Sequence, residues 1–251
     1  MSLTRRGVLG ATVGVTAAAA RDGGSEAPER QRVVIAGAHP DDPETVAGGT
    51  ARLLVERGHQ VVFLYLTRGE AGIAGTAPAA AGRRREDEAR AACALLGVEP
   101  VFAGHVDGAT LTGPAQRAQL QKLMASLAPH VVFTHWPVDT HRDHRACTEL
   151  LFDLWLSTRP AFSLYFHEGL TGQQTQTFAP DTFVDVTSVV ELKRRAVECH
   201  RSQQPAELWA AHERMQRFRG AETWVSDAEA FVHHKNSAPW APLAALAPRP
   251  R

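Results

Sequence analysis

The stretch Ala38-His39-Pro40-Asp41-Asp42-Pro43-Glu44 packs one imidazole and three carboxylates into a single turn of chain. Like charges crowded together disfavour one another's ionisation unless a cation neutralises them, so the stretch implies a metal. His39 and Asp42 offer one nitrogen and one oxygen donor, which suits zinc or another borderline first-row ion. Two ligands do not close a site, so at least one more must come from elsewhere. A second constellation lies further along, His135-Trp136-Pro137-Val138-Asp139-Thr140-His141-Arg142-Asp143-His144. The apolar pattern behind it (Ala146, Leu150, Leu151, Leu154, Trp155) places His141 and His144 on the first turn of a helix. At i and i+3 they share a face and could both point into one site. Thr140 and Asp143 also fit a helix-capping arrangement, which gives Asp143 a structural reading beside the chemical one.

The elements that must position these residues are legible as an alternation of β-rich runs and helical patterns from Arg32 onward. A strand is expected over 33–38 and a helix over 44–57, stopping at Gly58. Gly48 and Gly49 inside that helix imply close packing. Further strands are expected over 60–67, 100–104 and 130–134, and helices over 83–96 and 114–127. The loops 68–76 and from His105 onward then fall on the same carboxyl edge as the first constellation, the first of them readable as a mobile lid. Beyond the second constellation we expect a strand at 161–168, an extended segment at 178–187 and an amphipathic helix over 188–203. That helix carries Val189, Leu192, Ala196 and Cys199 on one stripe. Another helix should run from Pro205 to near Gly220, with 222–224 and 230–232 returning beside the site. The fold class is α/β: a Rossmann-like, mainly parallel sheet flanked by helices, in a single domain over 32–235. Residues 236–251 are expected to form an irregular tail.

Lys and Arg number 27 against 27 Asp and Glu, so no basic field exists to hold nucleic acid. The densest basic run, Arg83-Arg84-Arg85, meets Glu86-Asp87-Glu88 at once and reads as a solvated helix start. Cys93, Cys147 and Cys199 show no metal-ribbon or redox spacing and read as buried thiols. Residues 1–20 place Arg5-Arg6 before a mildly apolar, alanine-ended run, which resembles a twin-arginine export signal. The run is too short and weakly apolar for a stable membrane span. This implies the twin-arginine export machinery as a partner, an exported or secreted location, and a linker over 21–31.

With both constellations in hand, the chain resembles the LmbE-like or PIG-L family of zinc-dependent N-acetylglucosaminyl de-N-acetylases. Weaker agreement comes from Leu66-Thr67-Arg68-Gly69-Glu70-Ala71-Gly72, from Arg85-Glu86 through Leu96-Gly97, and from Asp185-Val186-Thr187 followed by Lys193, His200, Ser202 and Gln203. Arg142 stands where the family usually has proline in its second motif, which spares the ligand positions. The resemblance implies zinc ligands His39, Asp42 and His144, a general base Asp41, and His141 as oxyanion stabiliser. Asp143 would orient His141 and favour its imidazolium form, while Arg68 and Asp107 would bind sugar hydroxyls. The other histidines are expected to be structural or exposed, with His135 and His200 as the leading exceptions.

The implied activity is removal of acetyl from an N-acetylated amino sugar or sugar conjugate. A zinc amidohydrolase acting on a non-sugar amide and a non-catalytic secreted binding protein of the same fold are the alternatives. A dinucleotide-binding protein is disfavoured, because the turn after the first strand lacks Gly-x-Gly-x-x-Gly and its carboxylates would repel a pyrophosphate.

Overall fold

A computed structural model describes residues 30–158 and 162–249. The expected export signal, most of the linker and the last two residues lie outside the described residues. In chain order the elements are β1 (Arg32–Gly37), α1 (Asp42–Glu56), β2 (Gln60–Tyr65), α2 (Pro78–Leu96), β3 (Glu99–Phe102), α3 (Pro114–Leu127) and β4 (Val131–His135). They continue with α4 (Arg142–Thr158), β5 (Ser163–His167), β6 (Thr182–Asp185), α5 (Val190–Val197), α6 (Pro205–Thr223), β7 (Ala228–His233) and the short α7 (Ala241–Ala244).

Among the described residues the strands form one seven-stranded sheet in the order β3-β2-β1-β4-β5-β7-β6. The first five are parallel, in registers such as Val33↔Val61 and Val33↔Val131. β7 is antiparallel to both of its neighbours. Helices cover both faces, so the parallel strands read as continuous apolar runs rather than as alternating ones. Successive side chains still point to opposite faces. Val33 and Ile35 therefore enter one core with Leu54, Ala89 and Leu96, while Val34 and Ala36 enter the other with Leu120, Leu150 and Trp155. This is the expected single-domain, mainly parallel α/β architecture.

Four expectations change. α2 begins at Pro78 rather than near residue 83, with proline in its first turn and an alanine run behind it. The helix expected over 188–203 stops at Val197. There the chain turns inward so that His200 reaches Glu44, Nε2 to Oε1 3.0 Å, before Pro205 opens α6. Trp224, 77% exposed, ends α6 beside Arg57 at the far end of α1 from Asp42, so 222–224 does not return to the site. Trp240, Leu243 and Leu246 of the irregular tail are buried in the first core.

α1 also contains a break. Ala47 leaves the helical region at φ −145°, just before Gly48 and Gly49.

Candidate functional site

The strand order reverses between β1 and β4, and the crevice beyond their carboxyl ends is where open α/β sheets place ligands. Both constellations emerge there. After β1 the chain doubles back so tightly that a Cβ on Gly37 would lie 2.5 Å from Asp42 Cβ and 2.7 Å from Pro43 Cδ. Asp41 pivots this turn at φ 110°, a left-handed conformation that costs a non-glycine residue about 1–3 kcal/mol. Asp42 Oδ2 accepts the His39 backbone N–H at 2.8 Å, which fixes the carboxylate against the turn.

Donor atoms of His39, His141 and His144 lie within 4.8 Å of one another, as do those of Asp42, His135 and His144. The expected ligands His39, Asp42 and His144 span these two overlapping groups. His39 Nδ1 stands 3.4 Å from Asp42 Oδ2, and His144 Nε2 stands 3.4 Å from Asp42 Oδ1. They reach different oxygens of Asp42, each at about the 3.3–3.4 Å spacing of two donors that lie about 2.0–2.1 Å from one ion. The far nitrogen of each ring meets a carboxylate. His39 Nε2 lies 3.1 Å from Asp107 Oδ1 and 3.3 Å from Asp143 Oδ2, and His144 Nδ1 lies 3.3 Å from Asp139 Oδ2. Metal-binding imidazoles are commonly oriented in this way, so the donor set fits a zinc-class ion.

The electrostatics agree with a site built around positive charge. Burial pulls the His39 pKa down, but the carboxylates of Asp107, Asp143 and Asp42 outweigh it and hold the ring well above its ordinary value. Burial likewise pulls the His144 pKa down, but Asp42 and Asp139 outweigh it and raise the ring to about 9. Burial would raise Asp42, yet the neighbouring His144 and His135 keep its pKa well below the usual carboxylate range. His135 behaves differently. Burial and the charge of His144 bring it down to about 3, and its Nε2 accepts the Ala38 N–H at 3.0 Å. It stacks on His144 with ring centroids 3.8 Å apart and so braces that ring as a neutral wall.

Asp143 departs from the expected arrangement. Its Oδ2 accepts the Gly108 N–H at 2.6 Å and faces His39, so the carboxylate supports His39 rather than orienting His141. His141 Nδ1 instead accepts the Asp143 backbone N–H at 3.2 Å, which leaves the ring proton on Nε2. Burial and the nearby His39 and His144 lower the His141 pKa. Replacing Asp143 by Asn should weaken metal binding about 10- to 100-fold, read by competition against a chromophoric chelator. Unchanged affinity would mean that Asp107 alone holds His39.

A cavity of ≈ 410 Å³ opens over these groups, lined by His39, Asp41, Asp42, His141 and His144 and by apolar groups that include Val46, Leu170 and Leu208. Arg68, expected to bind substrate, is not on the wall; its Nε lies 3.4 Å from Glu70 Oε1. Asp107 is on the wall, but its oxygens serve His39 and the Ala71 N–H at 2.8 Å. The arginine that does reach the cavity is Arg85. Its Nη2 donates to Asp41 Oδ2 at 2.9 Å and to the Pro40 carbonyl at 2.5 Å. A Cβ on Gly69 or Gly72 would lie 2.3 Å from Arg85 Nη1, so the loop read as a lid wraps this guanidinium. Arg83 and Arg84 are exposed as expected, and Arg85 is the exception to that reading. The overlooked signal was helical spacing: Arg85 continues the buried stripe Ala81, Ala89, Ala92, Leu96. Asp139 was likewise in the quoted constellation without a role.

Nitrogen and oxygen donors gathered at a sheet's switch point, beside a second carboxylate, form a group that could hold a metal ion. A family model described as PIG-L, GlcNAc-PI de-N-acetylase, matches residues 34–155. A diacetylchitobiose deacetylase of Thermococcus kodakarensis is 32% identical over 186 residues, covering 68% of this chain and 69% of that protein. The chain belongs to the PIG-L family. A conserved protein of Thermus thermophilus is 31% identical, with TM-score 0.70 over 80% of this chain and 94% of that one. GalB, the 4-carboxy-2-hydroxymuconate hydratase of Pseudomonas putida, shares the fold alone: 23% identity and TM-score 0.72, over 81% of this chain and 95% of that one. The architecture therefore hosts more than one chemistry, and function must be argued from the site.

Proposed function

We propose that the chain removes the acetyl group from an N-acetylated amino sugar or sugar conjugate, with zinc held by His39, Asp42 and His144. The observation that carries this reading is the strained Asp41 at the cavity wall, next to that donor set but bonded to Arg85. When bound, a zinc-class ion lowers the pKa of water and draws charge from an amide oxygen.

The protein's own groups do the rest. Asp41 takes the proton of the attacking water as the new C–O bond forms, then delivers it to the sugar nitrogen as the C–N bond breaks. Acetic acid and the amine leave, the acid's remaining proton passing to the amine or to solvent, and Asp41 returns to its ionised state. His141 donates its Nε2–H to the carbonyl oxygen as negative charge develops there. A neutral donor serves this purpose, because the hydrogen bond strengthens as the oxygen becomes anionic.

The test is amine release from N-acetylglucosamine, N,N'-diacetylchitobiose and a panel of non-sugar acetamides, by protein of measured metal content. Metal-dependent release from the sugars alone is the expected result. Release confined to the other amides would move the substrate class. A metal-loaded chain inert towards every amide would overturn the proposal.

A further inference from the structure

The break in α1 coincides with a buried ion pair that the chemistry above does not use. Beyond Ala47, the amides of Gly49 and Thr50 donate to the two oxygens of Glu229, at 2.9 and 2.7 Å. Glu229 comes from β7 and is 3% exposed. Lys193 Nζ of α5 lies 2.8 Å from Glu229 Oε1 and donates to Gln216 Oε1 at 3.0 Å, while Gln216 Nε2 donates to Asp227 Oδ1 at 3.0 Å. Gly49 permits the approach, since a Cβ there would stand 2.6 Å from Val186 Cγ1 and 3.1 Å from Glu229 Oε1.

In helix terms, Glu229 caps the second segment of α1 from across the molecule. A carboxylate at helical N–H groups is favoured by their partial positive charge. The segment before the break is a single turn, and it carries Asp42, Thr45 and Val46 to the cavity wall. So short a turn has little stability of its own. Its position depends on where the second segment is pinned. Stability alone is a weak reason for such a pair, because burying a Lys–Glu pair gives little net gain over well-packed apolar side chains.

We infer that Glu229, braced by Lys193, is a positioning residue for the metal-binding turn, setting through the second segment of α1 where Asp42 meets His39 and His144. This rests on the metal reading proposed above.

The test uses two variants of the full chain. Glu229→Asp keeps both charges but shortens the reach by one methylene, and the double variant E229Q/K193M removes both charges together. Zinc affinity is measured by chelator competition, the visible spectrum with cobalt(II), and the melting temperature without metal. Each variant that stays folded should bind zinc about 10- to 100-fold more weakly than wild type and show an altered cobalt spectrum. Wild-type affinity and spectrum in either folded variant would overturn the inference. Loss of fold in both would also overturn it, in favour of a purely structural role. A wild-type chain that binds no zinc would overturn the metal reading itself, and this inference with it.

Discussion

Replacing Asp41 by Asn should lower kcat about 100- to 10,000-fold while leaving metal content unchanged. The turnover loss follows from removing the only carboxylate of the Asp41–Asp42 turn that is free of the donor set. Metal retention follows because Asp41 pairs with Arg85, 2.9 Å from Nη2, whereas Asp42 is the member facing His39 and His144. Asn keeps the side-chain shape and tolerates the left-handed backbone at this position better than most residues. Elemental analysis beside steady-state amine release separates the two effects. Equal loss of metal would remove Asp41 from the role of base.

The pH profile provides a second readout of the same variant. Burial raises the Asp41 pKa above its ordinary value, against the opposing charge of Arg85. The ionised form accepts the proton, so activity is present above that pKa and lost as pH falls through it. The acid limb of kcat/KM should therefore lie above the ordinary aspartate value of about 3.9 and vanish in Asp41→Asn.

Replacing His144 by Ala should cost more than about 100-fold in metal affinity, exceeding the usual effect of altering an orienting group, and activity should fall with occupancy. The ring presents Nε2 to Asp42, leans its Nδ1 towards Asp139 and stacks on His135, so its loss empties a donor position and unbraces the wall. Metal binding stabilises the folded chain by about 2.7 kcal/mol at one hundred times Kd. The melting temperature of wild type should thus climb with added zinc, and the variant should need at least a hundredfold more metal for the same climb. A variant with wild-type zinc response would exclude His144 from the ligand set.

The sheet was legible where strands are buried on both faces, because Val33-Val34-Ile35-Ala36 and Gln60 to Tyr65 have no polar face to obscure them. The insertion of β7 between β5 and β6 was not, since nothing local to Ala228–His233 encodes its partners. In the site, crowded charge made His39, Asp42, His141 and His144 readable together. The partner of Asp143 was hidden because one residue offers both a carboxylate and a backbone N–H, and the fold sends them to different histidines. Arg85 was hidden by its neighbours: two solvated arginines masked a third whose helical phase points inward. Glu229 and Lys193 lie far apart in sequence: Lys193 stood in the family resemblance with no partner assigned, and Glu229 alone reads as ordinary surface charge. Trp240, Leu243 and Leu246 recur every third residue, a helical hint diluted by the surrounding proline and alanine.

The place of β7 also sets the schedule on which this chain can be made. Among the described residues β6 pairs with β7 alone, and β5 has β7 on its outer side. While a ribosome is still synthesising residues before Ala228, β6 has no partner and β5 offers a bare edge. Such an edge is a template for pairing with other chains. A nascent chain of this protein thus stays vulnerable to association until residue His233 has emerged, and translation stalled in α6 releases an incomplete sheet rather than a smaller enzyme.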